Sequence, residues 1–329
     1  MTSVYRVIVA AVLAGTSASA NAQATATGPT QGYPSKPIRV VVPYPAGGGT
    51  DLIMRPLAQR LTEYLGQQVI VDNRGGAGGN IGMELAAKSA PDGYTLVVGL
   101  TAQFAVNPSL YPKLPYDPVK DFAPITLLIR NPYVLLVHPS LPPKSVKELI
   151  ALAKARRGQL VFASAGNGSG AHLSGATLNT MAGIDIVHVP YKGAGPVIID
   201  LIAGQVPISF VVWRTSGPHV RAGRLRALAV TTAKRARVLP DLPAMAETLP
   251  GYDLPVWYGV VAPAGTPREI VMKLNTEIRR ALAVPDFRQR IEADAAEVIG
   301  DAPEQFGDYI RSEVVKWAKV VKDSGAKID

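Results

Sequence analysis

The 329-residue chain contains no cysteine. That excludes a disulfide scaffold and thiolate chemistry, and leaves no N-terminal cysteine to carry a lipid. Histidine is scarce. His138, His172, His188 and His219 are isolated, so no His-x-x-x-His or His-Glu pair offers a zinc site. No G-x-S-x-G elbow surrounds any serine, and no G-x-x-x-x-G-K-[ST] loop occurs. Beyond the N-terminus no run approaches the ~18 uninterrupted apolar residues of a membrane span. Charged residues are only 18% of the chain, with a net charge of +9. The basic residues lie in scattered groups, such as Lys154, Arg156 and Arg157, or Lys234, Arg235 and Arg237. Such groups are solvated faces. They favour a mild attraction for small anions and give no nucleic-acid footprint. No metal and no cofactor is expected.

What is present supports a sizeable core. Hydrophobic residues are 47% of the chain, enough for two domains of ordinary size. At the N-terminus, Arg6 precedes a short apolar run over 7–15, and both Ala18-Ser19-Ala20 and Ala20-Asn21-Ala22 fit a small-x-small cleavage site. Residues 1–22 are therefore expected to be a cleaved secretory signal peptide. Together with the lack of cysteine, this points to a soluble protein of a Gram-negative periplasm.

The remainder alternates strand and helix patterns, which is the signature of an α/β protein. A strand is expected over 38–42, a helix over 50–65, a strand over 68–71, a glycine-rich loop leading to a helix near 83–88, and a strand over 94–99. This βαβαβ start implies a parallel sheet. Residues 107–124, rich in Pro and Tyr, suggest irregular connection. Strands over 125–129 and 133–137 follow, the second carrying the chain out of the first domain. Ser145-Val146-Lys147-Glu148 is a capping box. The middle third then repeats the βαβαβ logic, with strands at 160–164, 186–189, 208–213 and 225–230. Four prolines between 240 and 255 mark a linker. A strand over 256–262 returns to the first domain, and helices at 266–283, 285–293 and 303–323 complete the chain. In the last helix Phe306, Tyr309, Ile310, Val314, Trp317 and Val320 form a core stripe. Two crossings give two hinged lobes, residues 33–132 with 256–329 and residues 133–255, and a ligand cleft between them outside the strand ends.

Two loops carry the chemistry. In the first, Tyr44-Pro45-Ala46-Gly47-Gly48-Gly49-Thr50-Asp51 joins the first strand to its helix. It fits an anion cradle of backbone N–H groups at a helix start, and equally a tight turn with no ligand. Ser164-Ala165-Gly166-Asn167-Gly168-Ser169-Gly170-Ala171-His172 has the same strand–loop–helix order in the other lobe. One loop in each lobe suggests a ligand with two acidic or polar ends. Gly166-x-Gly168-x-x-Ala171 also fits the loose dinucleotide fingerprint, but the acidic residue expected about 20 positions later is not well placed. His172 fits capping or packing better than a base. Gln103, Phe104, Tyr191 and Trp213 follow or end strands and are candidates to line the cleft.

Several stretches resemble the Bug, or TctC-like, extracytoplasmic solute receptors of tripartite tricarboxylate transporters. They are Pro43 to Asp51, Asp72-Asn73-Arg74-Gly75-Gly76-Ala77-Gly78-Gly79-Asn80-Ile81-Gly82, Pro91-Asp92-Gly93-Tyr94-Thr95, Pro190-Tyr191-Lys192-Gly193 and Ala262-Pro263-Ala264-Gly265-Thr266-Pro267. The likeness runs in order through nearly all of the chain after residue 32. It implies a type II periplasmic-binding-protein fold that closes on a small organic carboxylate. It implies gripping positions at Tyr44, Ala46, Gly47, Thr50 and Asp51 in one lobe, and at Ser164, Ala165, Gly166, Ser169 and His172 in the other; Gly48 is expected beside them as one of the first loop's backbone N–H donors. It further implies a protein that hands its ligand to membrane permease subunits; a monomer is expected, and the lack of catalytic motifs argues against enzymatic activity. A ligand-sensing receptor for a sensor kinase is the alternative role; a secreted α/β enzyme is the more distant one. Gly75, Gln103-Phe104, Pro207 and Val211 to Trp213 depart from the family pattern. Phe104 and Trp213 suggest a carboxylate with a hydrophobic or aromatic body.

Overall fold

The computed structural model describes residues 32–327; the expected signal peptide lies outside the described residues. In chain order the elements are β1 (Ile38–Val42), α1 (Gly49–Leu65), β2 (Val69–Asn73), α2 (Asn80–Ala87) and β3 (Thr95–Leu100). A π-helical turn, Ala102–Val106, runs into α3 (Asn107–Leu110). Then come β4 (Phe122–Asn131), β5 (Tyr133–Val137), α4 (Val146–Ala155), β6 (Val161–Ser164), α5 (Gly170–Ala182), β7 (Val187–Pro190) and α6 (Ala194–Ile202). The chain continues through β8 (Ile208–Val212), α7 (Trp213–Arg221), β9 (Arg226–Val230), β10 (Val256–Pro263), α8 (Arg268–Leu282), α9 (Pro285–Glu292), β11 (Glu297–Val298) and α10 (Pro303–Ser324).

The strands form two sheets. One has the order β11-β4-β10-β3-β1-β2, the other β7-β6-β8-β5-β9. The β-branched run of β1 suits an inner strand, and it pairs in parallel with β2 and β3. The sheet is mixed rather than wholly parallel, because β10 runs antiparallel to both β3 and β4. The second sheet is also mixed: β6 is parallel to β7 and β8, while β5 is antiparallel to β8 and β9. The chain passes from the first sheet to the second between β4 and β5, and returns between β9 and β10.

One buried threonine ties these two passages together. The Thr231 hydroxyl accepts the Tyr133 N–H at 2.9 Å and donates to the Leu254 carbonyl at 3.0 Å. Its own N–H donates to Tyr133 O, and its carbonyl accepts from Leu254 N. Every polar group of Thr231 is thus spent on the crossings.

Behind β10 lies an aromatic core. Phe104 is fully buried and stacks on Trp257 with centroids 5.5 Å apart, while Phe122 and Phe306 meet it edge-on. Gly99 makes room for this ring, since a Cβ there would lie 2.3 Å from it. Phe104 therefore does not face a cleft, contrary to the sequence expectation. Trp257 and Trp317 donate their indole N–H groups to one Glu313 carboxylate oxygen at 2.7 and 2.9 Å, and Lys316 pairs with the other oxygen. This buried carboxylate locks α10 to the sheet.

Two other expectations change. Residues 102–110 are helical, where irregular chain was expected from 107 onward. Trp213 starts α7 rather than ending β8. Phe104→Ala is expected to lower unfolding stability by about 3–5 kcal/mol, the usual result of removing a packed ring. Urea unfolding measures this, and a negligible loss would contradict the core placement.

Candidate functional site

A cavity of about 650 Å³ lies where elements of the two sheets meet. The loop before α1, the segment after β3, the loop before α5, and Tyr133, Pro255, Val256 and Tyr258 from the two crossings all line it. It stands beside the ends of β1, β3 and β6, the usual place for a ligand in an open α/β sheet.

The first loop delivers helix-start amides. The N-cap of α1, Gly48, has no side-chain partner for the helix amides, and the first intrahelical bond runs from Leu52 N to Gly48 O. The N–H groups of Gly49 and Thr50, both lining residues, therefore have no intrahelical acceptor. With the positive end of the helix dipole they favour an anion. Asp51 turns away from the cavity. Its carboxylate accepts from Gly47 N at 3.0 Å, Arg55 Nε at 2.8 Å and Asn73 Nδ2 at 3.1 Å. The Arg55 hydrogen bond holds this carboxyl below the ordinary aspartate range. Asp51 is a strut that shapes the loop.

The second loop repeats the device. Ser169 caps α5, its Oγ accepting from His172 N at 3.3 Å. Leu173 N makes the first intrahelical bond, to Ser169 O, so the Gly170 and Ala171 amides have no acceptor in the helix. Two histidines brace this loop from behind. His172 Nδ1 accepts from Gly168 N at 3.1 Å, and His188 Nε2 lies 2.6 Å from Ser164 Oγ, which also accepts from Gly166 N. The two imidazoles stack at 3.9 Å. Burial lowers both pKa values, that of His188 to about 4 with repulsion from His172 adding to it.

The polar side chains lining the cavity are all neutral: the hydroxyls of Tyr44, Thr50, Thr101, Tyr133, Ser169 and Tyr258. Among the described residues no Lys, Arg, His, Asp or Glu lines it. Leu100, Val106, Val256 and Trp317 supply apolar wall.

The family model described as "Tripartite tricarboxylate transporter family receptor" matches residues 53–326. The chain belongs to this family. It is 40% identical to Protein BugT of Bordetella pertussis over 298 residues, covering 90% of this chain and 91% of that protein. It superposes on R. palustris Rpa4515 with adipate at a TM-score of 0.80 and 39% identity, covering 90% of this chain and 99% of that one. MatC from Rhodopseudomonas palustris with bound malate gives a TM-score of 0.75 at 35% identity, covering 88% and 100%. The fold of this TctC-family receptor is accordingly that of the two-lobed periplasmic binding proteins.

Of the residues expected in the site, Tyr44, Ala46, Gly47, Gly48, Thr50, Ala165 and Ser169 line the receptor's cavity. Asp51, Ser164, Gly166 and His172 shape the loops from behind. Gln103 is also a support: it is fully buried, donates to Tyr44 Oη at 2.7 Å and to Gly78 O at 2.6 Å, and accepts from Leu100 N. Three expectations fail because the side chains are committed elsewhere. Phe104 is core. The Tyr191 hydroxyl bonds Asp200 at 2.8 Å, although its backbone N–H still holds Ser164 O. Trp213 lies under Arg221 and lines a separate cavity with Val220, Leu225 and Leu239. Tyr133, Tyr258 and Thr101 were missed. The first two stand at the lobe crossings, and that position in the chain is the signal that marks them.

The histidine pair sets a pH dependence for the receptor. An unfolded histidine titrates near about 6.5, whereas in the fold both are held neutral. Between that value and about 4 for His188 the unfolded chain binds more protons, so stability is full above the upper limit and is lost as pH falls through the window. Urea midpoints measured from pH 8 to 5 should fall in the wild type and fall less in His188→Asn. Equal slopes would contradict the assignment.

Proposed function

We propose that this protein is a periplasmic receptor that captures a small organic carboxylate in the cavity between its lobes and delivers it to a membrane permease of the tripartite tricarboxylate transporter type. The observation that carries the reading is the pair of helix starts, one from each loop, whose unspent amides border a single cavity. Bound adipate and malate in similar receptors support the ligand class. The apolar wall of Leu100, Val106 and Val256 suits a ligand with a hydrocarbon body.

In this reading residues 33–132 and 256–329 form one lobe and residues 133–255 the other. They close about the two crossings that Thr231 joins, and the liganded closed form is what the permease recognises. The signal peptide at 1–22 exports the chain, which acts as a monomer. It binds and releases its ligand without turning it over.

A thermal-shift panel of small carboxylates should raise the melting temperature for at least one, as binding to the native state requires. A panel with no response would count against the reading. Ser169→Asp provides a second test. Aspartate caps a helix as well as serine does, so the unliganded protein should melt near the wild-type temperature. The added negative charge at the cavity should weaken carboxylate binding tenfold or more. Unchanged affinity would remove the second loop from the site.

A further inference from the structure

The two proposed lobes also meet at a turn that takes no part in the cavity lining. In the second lobe β8 ends at Val212, which pairs with Tyr133, and α7 begins at once with Trp213 and Arg214. Trp213 is 9% exposed and seats this helix start; a Cβ on Gly217 would lie 2.8 Å from its ring. The first turn of a helix is an unfavourable place for a cation, because the positive end of the dipole repels it. Arg214 is compensated from the first lobe. Its Nη1 donates to Asp294 Oδ2 at 2.7 Å, across 80 positions of sequence.

Asp294 lies in the turn 292–295, between α9 and β11. The turn is anchored in the first lobe, since β11 pairs with the end of β4 at Ile129 and Arg130. Its tip rests on the second. Ala295 adopts a left-handed φ of 63°, which alanine rarely takes and which persists where packing imposes it. The residue is 5% exposed and belongs to the apolar cluster of the second sheet, with Val134, Val211 and Trp213. Glu292 pairs with Arg288 of its own helix at 2.8 Å and stands 3.8 Å from Arg237 of the second lobe. The turn therefore offers one apolar contact and two carboxylates to a lobe it does not belong to.

We propose that residues 292–295 clasp the second lobe, and that the Arg214–Asp294 pair favours the lobe orientation of this structure and slows its opening. Neither residue lines the cavity. Both are positioning residues, which set how long a ligand is kept and not what is recognised. The inference rests on the lobe division proposed above. The side chains of Arg214 and Asp294 are 41% and 27% exposed, so the effect is modest: about twofold to fivefold in the ratio of closed to open forms, the usual worth of such a pair.

The chain has no cysteine, so Lys88→Cys in the first lobe and Lys154→Cys in the second would carry the only two spin labels. Both positions are exposed. Pulsed electron double resonance on the exported chain then reads the distance between the lobes with no ligand present. Arg214→Gln, Asp294→Asn and the exchange of Arg214→Asp with Asp294→Arg are compared in this background, with urea midpoints as a control for folding. Each single variant should populate a second distance about twofold to fivefold more than wild type does, and the exchange should restore the wild-type distribution. High salt should move wild type toward the single variants. With adipate as the probe, dissociation should quicken by the same factor in each single variant and recover in the exchange. Identical distances in wild type and single variants overturn the clasp, and a change that the exchange does not repair overturns the pairing. Shifted distances with an unchanged dissociation rate overturn its role in ligand retention. Adipate that fails to bind counts against the carboxylate reading alone, since the distances decide the clasp without any ligand.

Discussion

An α-helix leaves its first amides without acceptors, and the structure around the cavity is arranged to bring two such helix starts to one place. A lysine or arginine would attract an anion more simply. It would also bring a long side chain whose freedom is lost on binding. Backbone amides are already ordered by the fold, so their geometry depends on how well the loops are held. That explains the supports behind them. Asp51 gathers Gly47, Arg55 and Asn73 around the first loop, and Asn73 also donates to Tyr44 O. Ser164, His172 and His188 do the same for the second loop. The charged groups near the cavity act on the backbone and not on its contents.

The floor of the cavity ties this grip to the connections between the lobes. Tyr133 and Tyr258 belong to the strands that follow the two crossings, and Thr231 bonds the backbone of both passages. Behind Tyr258, the Phe104–Trp257 stack and the Glu313 carboxylate hold β10 against α10. Trp317, which shares that carboxylate, also reaches the cavity. Cavity lining, crossing strands and core thus form one packed unit. Within the proposed function, whatever fills the cavity touches the segments about which the lobes would move.

Most of the fold was legible because its signals are local. The run Ile38 to Val42, the glycine loop after it, and the return of strand pattern at Val256 need only neighbouring residues to interpret. Both loops of the candidate site were visible for the same reason. The failures involve partners distant in sequence. Nothing near Phe104 announces that Trp257 and Phe306 will enclose it, so an aromatic residue past a strand end suggested a cleft wall. Trp213 was misplaced by one element: Phe210 to Trp213 is a continuous apolar run, and no capping side chain marks where β8 stops and α7 starts. Gln103 was expected to line the cleft and is instead fully buried. Its use was hidden, because its partners Tyr44 and Gly78 come from loops far earlier in the chain.

The placement of the tyrosines also alters the meaning of having two loops. One loop in each lobe suggested a ligand with two polar ends, each held by one jaw. The structure puts Tyr133 at the start of α5 and Tyr258 at the start of α1, and burial, with Tyr133 and Tyr44 adding to it, pushes the Tyr258 phenol well above the ordinary tyrosine value. Two helix starts joined through neighbouring hydroxyls converge on one region of the cavity. Within the proposed function, that suits a single carboxylate held from both lobes, with the rest of the ligand lying along Leu100, Val106 and Val256. The apolar-body hypothesis thereby loses Phe104 and Trp213, the two residues on which it first rested. It draws its support instead from a wall that carries no charge, against which a hydrocarbon chain gives up water at no electrostatic penalty.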